Sequence, residues 1–149
     1  MIDWMNFFTE TIEAIHERLS IVLTASGCRE GWLQGELFSA GRKYDLRVNE
    51  HKLEDRQTAD LSCGPGPSML AEIKIVAANY APKMQTFIES DVARMRAVSS
   101  ADTERYMILV IPKCDVKTKL GDYLDACSFP KKRCFDRTWP NFRVKIWQL

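Results

Sequence analysis

The chain has 149 residues, one domain's worth, and its 46% apolar and 28% charged residues exclude a disordered chain. Sparse glycine (7) and proline (6) exclude collagen-like and linker-like chains. The net charge of +1 hides an asymmetry: residues 1–104 carry 11 Lys+Arg against 16 Asp+Glu, and residues 105–149 carry 10 against 4. A carboxylate-rich body with a basic end suits a protein that holds a cation and meets a polyanion; ordinary surface charge gives the same totals.

At this length roughly 70% of the unfolded surface can be buried, so folding needs no metal or disulfide staple. No uncharged apolar run approaches the ~20 residues of a membrane span, and Asp3 and Glu10 stand where a signal sequence would be basic. The five cysteines, at 28, 63, 114, 127 and 134, are odd in number and form no CxxC. Free, mostly buried thiols in a reducing cytoplasm are expected. Only His16 and His51 occur, which disfavours a multi-histidine metal site.

Residues 2–25 read as an amphipathic helix, with Met5, Phe8, Ile12, Ile15, Leu19 and Val22 stepping at helical period and Ser26-Gly27 as the stop. A shorter helix is expected over 29–40, with Trp32, Leu33, Leu37 and Ala40 on one side and Gly41 ending it. Tyr44, Leu46 and Val48 alternate with Asp45 and Arg47, a strand extended to about Glu50. After the polar loop 51–57, TADLSC and MLAEIKIVAA flank a GPGPS turn and predict an antiparallel hairpin. Pro82 restarts the chain as a helix over about 83–98, striped by Met84, Phe87, Ile88, Met95 and Val98. Residues 106–112 (YMILVIP) predict a strand buried on both faces. A short helix over 117–127 and a last strand over 142–147 complete an order α, α, β, β, β, α, β, α, β, which implies an α/β fold with a mixed central sheet flanked by helices. One domain, 1–149, is expected: an N-terminal helix over 2–25, a core over about 29–112 and a basic, aromatic extension over 113–149.

The chemistry concentrates in MLAEIKIVAA. Glu72 and Lys74 are two residues apart in a strand and share a face, while Ile73 and Ile75 take the other. A carboxylate and an ammonium on a half-buried face cost several kcal/mol unless compensated; on a solvated antiparallel face the same pair would be worth under ~1 kcal/mol. Asp60 lies across the hairpin turn from Glu72, and paired strands are ~5 Å apart. Asp60 and Glu72 can converge on one hard cation, Mg²⁺ or Mn²⁺, which takes one or two protein carboxylates and keeps waters. Lys74, one pleat away, would face the same pocket and act on a metal-bound water or on a phosphate.

The run Asp60-x(11)-Glu72-Ile73-Lys74, borne on a hairpin and followed by a helix and an apolar strand, resembles the PD-(D/E)XK nuclease superfamily. The resemblance covers about 85 residues and implies a restriction-endonuclease-like α-β-β-β-α-β core. It implies catalytic roles for Asp60, Glu72 and Lys74, with Asp60 and Glu72 as metal ligands and Lys74 as the water-activating group. It adds Glu30, in the helix before the first core strand, and Glu50, at the end of that strand, as further metal ligands. Gln34 lies one turn after Glu30 on the same face, and Glu17 and Glu36 are rival helix carboxylates. Glu30 also suits a helix N-terminus on dipole grounds alone. Ala59 stands where the family often has proline.

The implied activity is Mg²⁺-dependent hydrolysis of DNA phosphodiester bonds, with no membrane partner and, by analogy, a homodimer for cutting both strands. The alternatives are a catalytically inactive nucleic-acid- or protein-binding module on the same fold and a toxin or immunity-type protein. The C-terminal segment interleaves Lys131, Lys132, Arg133 and Arg137 with Phe135, Trp139 and Phe142. Such a run can track a nucleic-acid backbone and stack on bases, or it is a basic loop whose aromatics belong to the core.

Overall fold

The computed structural model describes residues 2–53, 57–76, 81–113 and 129–149. Helix α1 spans Trp4–Val22 and buries Met5, Phe8, Ile12, Ile15 and Leu19 of the stripe read from the sequence, while Val22 at its end is half-buried. Asp3 caps it by accepting from Asn6 N at 3.1 Å, which satisfies one orphan amide at the positive end of the helix. Helix α2 spans Arg29–Gly41 and buries Leu33, Leu37 and Gly41, while Ala40, expected on that side, is exposed. Glycine is required at 41 by packing: a Cβ there would stand 2.6 Å from Leu46 Cδ2.

The strand expected from Tyr44 to Glu50 is shorter. Tyr44 closes a 3₁₀ turn over Arg42–Tyr44, and β1 is Leu46–Val48. Asp45 (φ 59°) and Asn49 (φ 53°) bracket it, two residue types that tolerate the left-handed region. Strands β2 (Leu61–Cys63) and β3 (Met69–Ile75) form the expected antiparallel hairpin, but β2 is shorter than TADLSC and Asp60 stands just before it. Helix α3 (Ala81–Ala97) and strand β4 (Glu104–Pro112) follow, and β3 and β4 run parallel. Strands β5 (Arg133–Thr138) and β6 (Phe142–Gln148) add an antiparallel pair beside β4. The fold is therefore mixed α/β, one six-stranded sheet in the order β1-β2-β3-β4-β6-β5 with three helices among the described residues. Strand β5 escaped the sequence reading. It is an edge strand with exposed, charged side chains, so its composition is that of a loop. The expected helix over 117–127 lies outside the described residues.

The two central strands are covered on both faces. Ala71, Ile73, Ile75, Tyr106, Ile108 and Val110 pack with the stripes of α1 and α2. Val76, Met107, Leu109 and Ile111 pack with Met84, Ile88 and Val92 of α3. Glu72 and Lys74 therefore point to the α3 side, by the alternation of the pleat. Cys28 and Cys134 are exposed and Cys63 is half-buried, all three as free thiols, which corrects the expectation of mostly buried ones. Cys114 and Cys127 lie outside the described residues. Among the described residues, no helix is long and apolar enough to cross a membrane.

Candidate functional site

The site is built where β3 outruns its partner. Strand β2 begins at Leu61, opposite Ala71, so the later residues of β3 have no strand on that side. Their inward amides still need acceptors, since an unpaired buried backbone donor costs about as much as a lost hydrogen bond. Two carboxylates supply them. Ile73 N donates to Asp60 Oδ2 at 2.7 Å, and Ile75 N donates to Glu30 Oε1 at 3.1 Å. Gln34 Nε2 donates to the other oxygen of Asp60 at 2.8 Å. Asp60 and Glu30 are thus fixed by the backbone of the strand that carries Glu72 and Lys74.

Glu72 is 3% exposed. Burial first, then the negative charges of Asp60 and Asp91, push its pKa up to about 8, against a smaller opposing pull from Lys74. At neutral pH Glu72 therefore keeps its proton, with the Asp60 carboxylate beside it. Its Oε1 is buried with no hydrogen-bond partner among the described residues.

Lys74 Nζ lies 3.1 Å from Asp91 Oδ2. Burial opposes the charge on Lys74, but the carboxylates of Asp91, Glu30 and Asp60 outweigh it and hold the pKa above the usual lysine value. Asp91 itself is 3% exposed and also binds Arg94, whose guanidinium reaches Gln57. Asp91 was missed by the sequence reading. Its signal was present: it falls between Ile88 and Met95 in the apolar stripe of α3, where an acid has no reason to be unless something buried answers it. Phe87, assigned to that stripe, is instead 40% exposed.

The sequence-derived ligand set is only partly assembled. Asp60 and Glu72 meet, Lys74 shares their surroundings, and Glu30 stands at the same strand edge. Glu50 does not join them; its carboxylate pairs with Arg47 at 3.5 Å on the exposed side of β1. Among the described residues, no group of three or more His, Cys, Asp or Glu side chains is arranged to hold a metal ion. Two oxygen ligands completed by water remain within the coordination habits of Mg²⁺. The buried, unpartnered Oε1 of Glu72 is the kind of atom such an ion would satisfy. The rival carboxylates are engaged or remote: Glu36 accepts from Arg18 at 2.8 Å, and Glu17 is exposed on α1.

The C-terminal run has a different role from a simple basic loop. Arg133 pairs with Asp3 at 2.9 Å and Arg137 with Glu13 at 2.6 Å, which fastens β5 to α1. Trp139 and Phe142 are buried and stacked on each other, so the core holds them. Lys131 lies over the rings of Phe129 and Trp147, and Lys132 is exposed. Comparison with protein-family models, with curated proteins and with solved structures finds no match.

Proposed function

We propose that this chain is a divalent-metal-dependent nuclease of the PD-(D/E)XK type, acting on DNA phosphodiester bonds on a restriction-endonuclease-like core in a reducing cytoplasm. The carrying observation is a convergence on β3, a strand otherwise buried on both faces: Asp60 and Glu30 are held by the amides of Ile73 and Ile75, and the buried Glu72 and the ion-paired Lys74 alternate with those residues along the strand. A strand of that kind keeps ionisable groups together only against a desolvation cost of several kcal/mol. Asp60 and Glu72 are the residues that would hold Mg²⁺ or Mn²⁺. Such an ion supplies a bound water of lowered pKa and neutralises charge on a phosphate. The protein's own groups do the rest. Gln34 and Ile73 N orient Asp60, Asp91 holds the Lys74 ammonium, and Lys74 donates to phosphate oxygen as charge builds there.

The test is incubation of the protein with supercoiled plasmid and with single-stranded DNA in Mg²⁺, Mn²⁺ or EDTA. Cleavage that needs metal and fails in Lys74→Ala supports the enzyme. A second reading, a non-catalytic binding module, draws on the same geometry, because Lys74 is ion-paired and both oxygens of Asp60 are engaged. DNA binding without cleavage in any metal selects it.

A further inference from the structure

Beside Lys74 a cavity of about 370 Å³ opens between β3 and α3. Its lining is mixed. Ile75, Met84 and Phe87 are apolar and Ser90 carries a hydroxyl, while Glu30, Lys74, Asp91 and Arg94 are charged. The charges answer one another: Asp91 pairs with both Lys74 and Arg94, and Arg94 also reaches Gln57. An apolar wall with an aromatic at its rim, beside charges that largely cancel, suits a flat, uncharged heterocycle stacked on its face and hydrogen-bonded on its edge. The volume sits at the small end of ligand sites, roughly 300–1,000 Å³. It is large enough for a single base.

A second observation comes from the helix itself. Lys83, Phe87, Ser90 and Arg94 step by four, three and four along α3, so they share one face, beside the buried stripe. Lys83 is exposed, and Phe87 is one of three large apolar side chains exposed among the described residues. The face runs cation, aromatic, hydroxyl, cation over roughly 16 Å at 1.5 Å per residue. An aromatic platform flanked by cations is the pattern that tracks a single nucleic-acid strand. The remaining exposed apolar side chains, Ile21 and Phe38, lie on α1 and α2, away from this cavity.

We infer that this face of α3 and the cavity beneath it bind an unpaired strand of DNA, with Phe87 stacking on a base that enters the cavity beside Lys74. This deepens the nuclease reading by naming the substrate as single-stranded or frayed DNA, since a base within a duplex is stacked and paired and cannot enter. The binding needs neither metal nor chemistry, so it is measured in EDTA.

The experiment is fluorescence anisotropy with a 12-nucleotide mixed-sequence single strand and the matching blunt duplex, both fluorescein-labelled, titrated with wild type, Phe87→Ala, Phe87→Trp and Lys83→Ala. Wild type is expected to prefer the single strand. Phe87→Ala should weaken single-strand binding by about tenfold or more, the scale of one lost base stack, and duplex binding by less than about twofold. Phe87→Trp should retain it. Lys83→Ala should lower the salt slope by about 0.7, one phosphate contact on a single strand. A duplex preference, no binding to either, or an equal or absent effect of Phe87→Ala overturns the inference. Phe87-dependent strand binding without cleavage in Mg²⁺ or Mn²⁺ upholds it and sinks the nuclease. Metal-dependent duplex cleavage indifferent to Phe87→Ala does the reverse.

Discussion

Lys74 and Asp91 form an ion pair 3.1 Å long between β3 and α3, and it ties the helix that follows the hairpin to the strand that bears the candidate site. Both ends are sheltered, with side chains 24% and 4% exposed. Removing one partner of such a pair leaves a buried charge uncompensated, which costs about 3–5 kcal/mol when burial is complete. Lys74 is partly wet, so a smaller loss is expected for Asp91→Ala. Urea unfolding of Lys74→Ala, Asp91→Ala and the double variant should give a coupling of about 1–3 kcal/mol. Additive losses would show that the pair holds nothing together.

Glu30 offers a separation of structural from chemical roles. Its Oε1 accepts from Ile75 N at the unpaired edge of β3. Glu30→Ala should destabilise the metal-free protein by about 1–3 kcal/mol, the cost of leaving a buried donor without a partner. Glu30→Gln keeps an acceptor oxygen and should lose far less. If both variants match wild type in metal-free urea melts, the strand edge does not depend on Glu30.

How much of this was legible follows from where each constraint lives. The α1 stripe, the hairpin and the two-faced β4 are local patterns, and they appear where periodicity puts them. The same-face relation of Glu72 and Lys74 is equally local, because the pleat dictates it. Asp91 is the opposite case. Its anomaly, an acid inside an apolar helical stripe, is local, but its meaning depends on Lys74 across from it. The capping of Ile73 and Ile75 could not be read either, because it depends on β2 starting at Leu61 and not two residues earlier. The basic C-terminal residues left two readings open, a surface for nucleic acid or a basic loop over core aromatics, and the acids that answer Arg133 and Arg137 are Asp3 and Glu13, more than a hundred residues away in sequence.

Glu72 makes stability depend on pH in an unusual sense for a carboxyl group. Its pKa in the folded chain is raised to about 8 from 4.5, so the folded state holds a proton that the unfolded state releases. The stabilisation is complete below about pH 4.5 and is lost as pH rises through about 8. Metal-free wild type should therefore melt at progressively lower temperature between pH 5 and 8.5, reflecting a loss of stability on the order of a few kcal/mol. Glu72→Gln, neutral throughout, should lack that decline and be the more stable protein at pH 8.5. Parallel curves for the two proteins would show that Glu72 is not held protonated.

Metal binding should reverse that proton's position, and this distinguishes ligands from the lysine. A cation held by Asp60 and Glu72 needs both ionised, so binding releases a proton below about pH 8 and tightens as pH rises toward it. In wild type, Mg²⁺ or Mn²⁺ should raise the melting temperature by mass action on the native state, more at pH 8 than at pH 6. Asp60→Asn should abolish the rise without unfolding the protein. The asparagine oxygen can still accept from Ile73 N, and a flipped Gln34 amide can accept from the new NH₂. Lys74→Ala should keep the rise, since an ammonium is not a ligand, yet lower hydrolysis by ~10²-fold or more, the scale for a group that acts mainly in the transition state. Far-UV circular dichroism must first show each variant folded. Equal metal-induced shifts in wild type and Asp60→Asn would remove Asp60 from the ligand set. Unimpaired cleavage by Lys74→Ala would remove the lysine from the chemistry.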